Sequence, residues 1–211
     1  MRVKVKICGI TNSADAQAAV DAGADALGFM FSDLSPRCLT CEAASKIIRQ
    51  LPPFIVKVGV FVNAPEALVK QTVAGCGLDA LQFHGTESPE YCGKFAPQKV
   101  IKAVRVRDSS SLRMLSSYET DAWLMDSWVP GKPGGTGETF RWELAAEAKD
   151  WGRPIILAGG LKPENVAQAV HEVWPYAVDV SSGVEEKVGK KDHAAIRDFI
   201  SAVRQIENDK F

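Results

Sequence analysis

The sequence predicts an α/β protein that folds as a single (β/α)8 TIM barrel with parallel strands, forming one domain over residues 1–211. Eight short β-rich segments alternate with amphipathic or alanine-rich segments, and no linker, low-complexity tract or charge run divides them. Such alternation implies a parallel sheet, and eight units of this size close most simply into a barrel. The rival fold, an open doubly wound sheet, is disfavoured because no Gly-x-Gly-x-x-Gly follows the first strand.

The predicted strands are short runs rich in valine, isoleucine and phenylalanine, which favour extended backbone. They span residues 3–7, 26–31, 56–62, 80–83, 100–104, 122–125, 154–158 and 177–180. Successive side chains of a strand point to opposite faces, so Lys4, Lys6 and Cys8 share one face of the first strand. Because its apolar face should meet the surrounding helices, we expect the lysines and the thiol to point into the barrel.

Five of the intervening segments carry distinct helix signals, over residues 12–22, 40–51, 65–74, 163–173 and 192–207. In the fourth, apolar residues recur at helical spacing from Val166 onward. Asn12 or Ser13 is suited to cap the first, because a short polar side chain can accept from the first unpaired N–H groups. Pro65 suits the first turn of the third helix.

The composition excludes several classes of partner. With 25 basic and 26 acidic residues the net charge is -1, which gives no electrostatic reason to expect nucleic acid or an acidic membrane surface. No apolar run is long enough to span a bilayer, and residues 1–7 lack the pattern of a signal peptide. We therefore expect a cytoplasmic protein without a membrane partner.

The cysteine count supports the same compartment. There are five cysteines, and an odd number without a secretion signal favours reduced thiols. The spacing Cys38-x-x-Cys41 is compatible with a redox pair or half a zinc site. Ordinary thiols are the favoured interpretation, because no second pair of ligands lies at metal spacing, and no metal site is predicted.

Two reactive side chains come at the ends of predicted strands. Cys8 follows the first strand, and Asp126 closes the sixth. In a parallel barrel the C-terminal ends of the strands carry the chemistry, so a base and an acid would meet there. We expect Lys6 to lower the pKa of Cys8 by its positive charge, and Asp126 to act as a proton donor. Alternatively, Cys8 fills a gap in the core and Asp126 caps a turn.

Glycine-rich turns follow the last two strands. Gly159-Gly160 and Ser181-Ser182-Gly183 each present backbone N–H groups of the kind that bind phosphate. Loops after strands 7 and 8 are the usual phosphate site of this fold, so a phosphorylated small molecule is the expected substrate. A further glycine-rich segment, residues 131–137, is either a flexible linker or a lid over the ligand.

Three other residues are candidates for binding the substrate. Arg37 has a fork-shaped cation suited to a carboxylate, although a solvated loop arginine has the same appearance in sequence. His84 ends the fourth strand and is either catalytic or an orienting group. Asp179 shares a strand face with Ser181 and is suited to hold a substrate hydroxyl or to form a core hydrogen bond.

Taken as an ordered set, these motifs resemble the phosphoribosylanthranilate isomerase family over residues 6–199. The resemblance rests on Lys6-Ile7-Cys8-Gly9, Ser35-Pro36-Arg37, Leu81-Gln82-Phe83-His84-Gly85, Leu124-Met125-Asp126-Ser127, Gly134-Gly135-Thr136-Gly137, residues 157–166 and residues 179–185. The sequence departs from the family pattern in two places. Arg141 stands where the family usually has Asp, and residues 38–41 differ from the usual sequence. Neither touches the proposed acid or base.

The resemblance implies an Amadori rearrangement in tryptophan biosynthesis, with no cofactor. Cys8 is implied as general base and Asp126 as general acid, with Arg37 on the anthranilate carboxylate. The phosphate-binding residues implied or inferred are Gly135, Gly159, Gly160, Ser182 and Gly183, and the substrate-binding residues are Arg37, His84 and Asp179.

Two alternative functions stay open from the sequence. One is another sugar-phosphate barrel, such as an epimerase or an aldose–ketose isomerase with two carboxylates, which the pairing of Cys8 with Asp126 disfavours. The other is a phosphate-binding barrel without catalysis. The sequence does not fix the oligomeric state, for which a monomer is favoured.

Overall fold

The computed structural model of the protein describes residues 2–127 and 142–208, and these form a closed barrel of eight parallel strands. The strands are β1 (Lys4–Cys8), β2 (Ala26–Met30), β3 (Val56–Phe61), β4 (Ala80–Phe83), β5 (Lys99–Val106), β6 (Ala122–Ser127), β7 (Ile155–Leu157) and β8 (Ala177–Val180). They pair in chain order, and β1 pairs with β8 to close the barrel. The predicted fold class is confirmed.

Helices alternate with the strands around the outside of the barrel. They are α1 (Ser13–Asp21), α2 (Cys41–Ile48), α3 (Glu66–Cys76), α4 (Pro89–Gly93), α5 (Ser109–Leu115), α6 (Glu143–Ala148), α7 (Pro163–Val173) and α8 (His193–Asn208). A small antiparallel hairpin, β9 (Glu185–Lys187) and β10 (Lys190–Lys191), lies between β8 and α8. None of the helices within the described ranges is long and apolar enough to cross a membrane.

The alternation of side chains along each strand builds two apolar layers. Outward residues such as Val5 and Ile7 are fully buried against the helices. A second, smaller cluster fills the barrel interior and consists of Val58, Ala80, Ile101, Ala103, Ala122, Leu124, Ile156, Ala158 and Ala177. Lys6 is buried, as expected for an inward residue of β1. The interior cluster closes the barrel below the polar residues at the C-terminal ends of the strands.

Local signals set several helix boundaries. Asn12 caps α1, because its side chain accepts from the backbone N–H of Asp15. Pro163 begins α7 at the position where its missing N–H costs nothing. Pro65 lies one residue outside α3 and is its N-cap, which corrects its expected place in the first turn.

Asp25, just before β2, links the first strand of the barrel to the last helix of the chain. Its carboxylate accepts from the backbone N–H of Val5 at 2.9 Å and from Arg204 of α8 at 3.2 Å. It also pairs with Arg2 and with Lys4. These contacts hold the first strand and the last helix together where the barrel closes.

Candidate active site

A cavity of about 240 Å³ lies at the C-terminal ends of the barrel strands. Its wall brings together most of the residues that the sequence singled out, from six different strands or the loops that follow them: Cys8, Arg37, His84, Asp126, Gly159, Gly160, Asp179, Ser182 and Gly183. Gly135, the segment 131–137 and Arg141 lie outside the described residues.

The base candidate, Cys8, stands above a buried ion pair. Lys6 Nζ donates to Asp179 Oδ1 over 2.8 Å, and both side chains are at most 8% exposed. The pairing follows from barrel closure, since Lys6 of β1 and Asp179 of β8 are register partners. Asp179 is therefore bound to Lys6 and also faces the cavity.

The electrostatic balance at Cys8 differs from the expectation. Burial raises the pKa of the Cys8 thiol, and the positive charge of Lys6 lowers it by less than burial raises it. The net effect is a raised pKa, so the prediction of a lowered one was wrong in sign although right about the role of Lys6. Burial alone would lower the pKa of Lys6, but the charges of Asp179 and Cys8 raise it above its usual value. Lys6 therefore stays charged beneath the thiol.

Gly28 makes room for this thiol. It is the register partner of Cys8 on β2, and a Cβ atom placed there would lie 2.7 Å from Cys8 Sγ and 3.2 Å from Lys6 Cε. Any side chain at position 28 would push Cys8 out of its place. Gly28 is not among the site residues that the sequence predicts, because its role depends on a neighbour in another strand.

The acid candidate, Asp126, is held by a chain of hydrogen bonds. Its Oδ1 accepts from the backbone N–H of Ser127 at 2.9 Å, and its Oδ2 lies 3.2 Å from His84 Nε2. On the other side of the ring, Gln82 Nε2 lies 3.0 Å from His84 Nδ1. Gln82 is 1% exposed, and its Oε1 has no hydrogen-bond partner among the described residues. The amide beside His84 is therefore buried at the cavity wall.

Arg37 is already paired in this structure. Its Nε donates to Glu185 Oε1 over 2.7 Å and its Nη2 to Glu185 Oε2 over 2.6 Å. Lys191 Nζ also donates to Glu185 Oε1, over 3.0 Å. A guanidinium has five N–H donors, and Glu185 takes two of them. Because Arg37 also lines the cavity, its other donors can meet a carboxylate there.

The two glycine turns approach each other closely. A Cβ atom on Gly183 would overlap the carbonyl oxygen of Leu161, which follows Gly160. Asn165 fixes the first turn, because its side chain donates to Gly160 O and accepts from Lys162 N, both over 2.9 Å. Residues Ser182–Val184 form a 3-10 turn one residue after β8. The N–H-rich turns after β7 and β8 thus face one cavity, as the sequence predicted.

Metal binding has no support in the described part of the chain, where no group of three or more His, Cys, Asp or Glu side chains could hold an ion.

Some residues of the site were not predicted from the sequence. The sequence did indicate a place for Gln82 beside His84, since it lies two residues before His84 and therefore on the same strand face. Glu185 ends the motif of residues 179–185, but nothing indicated its pairing with Arg37, which is 148 residues away.

Comparison with known proteins shows to which family the chain belongs. The family profile described as N-(5'phosphoribosyl)anthranilate (PRA) isomerase matches residues 5–202. The N-(5'-phosphoribosyl)anthranilate isomerase of Pelobacter propionicus is 55% identical over 207 residues, covering 98% of each chain.

Solved structures agree with this match. The phosphoribosyl anthranilate isomerase of Thermotoga maritima has a TM-score of 0.91 at 44% identity, covering 96% of this chain and 99% of that one. A phosphoribosyl anthranilate isomerase in complex with reduced 1-(o-carboxyphenylamino)-1-deoxyribulose 5-phosphate has a TM-score of 0.88 at 42% identity, with the same coverage. The chain therefore belongs to the N-(5'-phosphoribosyl)anthranilate isomerase family.

Proposed function

We propose that this chain converts N-(5-phosphoribosyl)anthranilate into 1-(2-carboxyphenylamino)-1-deoxyribulose 5-phosphate, the Amadori rearrangement of tryptophan biosynthesis. The relatives support the reaction. The observation that carries it in this structure is a single cavity bordered by a thiol, a carboxyl group, an arginine and two glycine turns. The substrate's own nitrogen serves as electron sink, so the chemistry requires no cofactor.

The cavity offers a separate place for each end of such a substrate. Backbone N–H groups at the turns of Gly159–Gly160 and Ser182–Gly183 suit the phosphate. Arg37 suits the carboxylate of the anthranilate ring, because a guanidinium can donate two parallel hydrogen bonds to it. Apolar side chains of β2 and β3, Met30 and Val60, line the same cavity and suit the ring itself.

The first chemical step opens the ribose ring. Asp126 gives a proton to the ring oxygen, the bond from that oxygen to C1' breaks, and the nitrogen lone pair forms a Schiff base with C1'. Oδ1 of Asp126 already accepts from Ser127 N, so Oδ2 is the oxygen that carries the transferable proton. Oδ2 is also the oxygen that faces His84.

The second step moves a proton from carbon. The Schiff base makes the C2' proton acidic, and the Cys8 thiolate removes it to give an enolamine. Conversion of the enolamine to the ketone returns a proton to C1' and releases one from the 2'-hydroxyl, so no net proton is gained or lost. Lys6 stabilises the thiolate, because its charge lies directly below Cys8.

His84 and Gln82 act here as positioning residues for Asp126. With Gln82 Nε2 donating to Nδ1, His84 carries its proton on Nε2 and donates to an ionised Asp126. This hydrogen bond holds the carboxylate of Asp126 in place once it has given its proton to the substrate.

The test of the function is turnover of freshly prepared phosphoribosylanthranilate, followed by the loss of anthranilate fluorescence. We expect turnover by the wild type, and a fall in kcat of about 10²–10⁴-fold in both Cys8→Ala and Asp126→Asn. Both variants should still bind a phosphorylated product analogue. Binding of that analogue by the wild type without any turnover would instead favour a phosphate-binding barrel that lacks catalysis.

A further inference from the structure

Two cysteines outside the cavity lie against each other. Cys41 is the first residue of α2 and Cys76 is the last residue of α3, and their Sγ atoms are 2.7 Å apart. The Cys76 thiol also donates to the backbone carbonyl of Cys41 at 3.3 Å. A disulfide bond is about 2.05 Å long, so the two sulfur atoms need to approach by only about 0.65 Å to bond.

The packing around this pair leaves space for the sulfur atoms. A Cβ atom on Gly75 would lie 2.6 Å from Cys41 Sγ, so the absence of a side chain at position 75 lets the thiol of Cys41 reach α3. Cys38, which has CxxC spacing to Cys41, instead directs its Sγ toward the carbonyl of Leu39 at 3.9 Å. The partner of Cys41 is therefore Cys76, 35 residues away, and not its sequence neighbour.

We propose that Cys41 and Cys76 are a reversible disulfide site, oxidised by a low-molecular-weight disulfide such as oxidised glutathione. The thiolate of one cysteine attacks a sulfur of the oxidant, forms a mixed disulfide and releases one glutathione thiolate. The second cysteine loses its proton and attacks the protein sulfur of that mixed disulfide, which releases the other glutathione. Two protein thiols are oxidised to one disulfide, and one glutathione disulfide is reduced to two thiols.

The environments of the two sulfurs set the order of attack. Cys41 is partly exposed, whereas Cys76 is 4% exposed. Burial and the neighbouring thiol raise the pKa of Cys76 to about 12. Since the thiolate is the reactive form, Cys41 reacts first with the oxidant, and Cys76 resolves the mixed disulfide.

The test counts free thiols by mass. The protein is incubated with oxidised or reduced glutathione, denatured, alkylated with N-ethylmaleimide and weighed intact. We expect five alkylated cysteines after reduction and three after oxidation, out of the five in the chain. Five alkylated cysteines under both conditions would overturn the proposal.

Four variants identify the bonded pair, because trypsin leaves Cys38 with Cys41 in residues 38–46 and Cys76 with Cys92 in residues 71–94. Cys41→Ser and Cys76→Ser should each abolish the cross-link between these peptides. Cys38→Ser and Cys92→Ser are the matched controls and should retain it. A cross-link that survives Cys41→Ser or Cys76→Ser, or that is lost with Cys38→Ser, would also overturn the proposal.

A thermal measurement tests whether the native fold accommodates the bond. Closing a loop of 35 residues should raise the Tm of the oxidised wild type by on the order of 10 °C over the reduced form. Cys76→Ser should show the same Tm under both conditions. Formation of the bond without a rise in the Tm of the wild type would show that the fold must distort to form it, contrary to the proposal.

Discussion

The reactivity of Cys8 should depend on the charge of Lys6, and alkylation by iodoacetamide measures this directly. Only the thiolate reacts, and burial holds the pKa of Cys8 above its usual value of about 8.5. At pH 7 the thiolate is then only a small fraction of the thiol. We therefore expect the alkylation rate at Cys8 to rise about eight- to tenfold between pH 7 and pH 8.

Lys6→Met removes the largest influence that favours this thiolate. A nearby opposite charge changes a pKa by about one unit or more, so the variant should react at least about tenfold more slowly at pH 8. The double variant Lys6→Met/Asp179→Asn avoids an unpaired buried carboxylate. It should react no more slowly than Lys6→Met, and still more slowly than the wild type.

The assay follows alkylation of the tryptic peptide that spans residues 7–37 in the wild type, whose only cysteine is Cys8. In the Lys6 variants the corresponding peptide begins at residue 5 and still contains no other cysteine. Thermal unfolding of each variant checks that slower alkylation does not come from a damaged fold. A rate that is independent of pH between 7 and 8, or Lys6→Met reacting as fast as the wild type, would refute the electrostatic account.

Three further substitutions test the rest of the site. Arg37→Lys loses the planar guanidinium, so KM should rise about tenfold or more with little change in kcat. An equal rise in KM for a substrate analogue without the carboxylate would show that Arg37 does not bind the carboxylate. Gln82→Met removes the amide beside His84, so kcat should fall by up to about tenfold at unchanged KM in steady-state kinetics. A raised KM with unchanged kcat would contradict the positioning role of Gln82. Gly183→Ala places a methyl group against the carbonyl of Leu161, so competitive inhibition by inorganic phosphate should weaken; unchanged inhibition would separate this turn from the phosphate site.

Local patterns predicted much of the fold and the position of the site. The bounds of β4, β8 and α7 were right, because alternation, strand composition and an early proline all act within a few residues. The shared cavity of Cys8 and Asp126 followed from one rule, namely that parallel strands of a barrel end at the same rim.

The features that escaped prediction depend on residues distant in sequence or on the balance of opposing effects. The pairing of Arg37 with Glu185 joins a loop after β2 to a hairpin after β8, and nothing near either residue indicates it. The sign of the pKa shift of Cys8 depends on how deeply the thiol is buried, which the sequence does not show. The effect of burial on this pKa outweighs that of the charge of Lys6. Short helices such as α4 lack enough turns to show a helical period.

The closure of the barrel through β1 and β8 has a consequence for synthesis on the ribosome. Lys6 emerges early, whereas its partner Asp179 is 173 residues later in the chain. A nascent chain that ends before β8 has neither the carboxylate that pairs with Lys6 nor the second glycine turn, so it can hold no complete site. Catalytic competence should therefore appear abruptly, when the last strand leaves the exit tunnel and inserts beside the first.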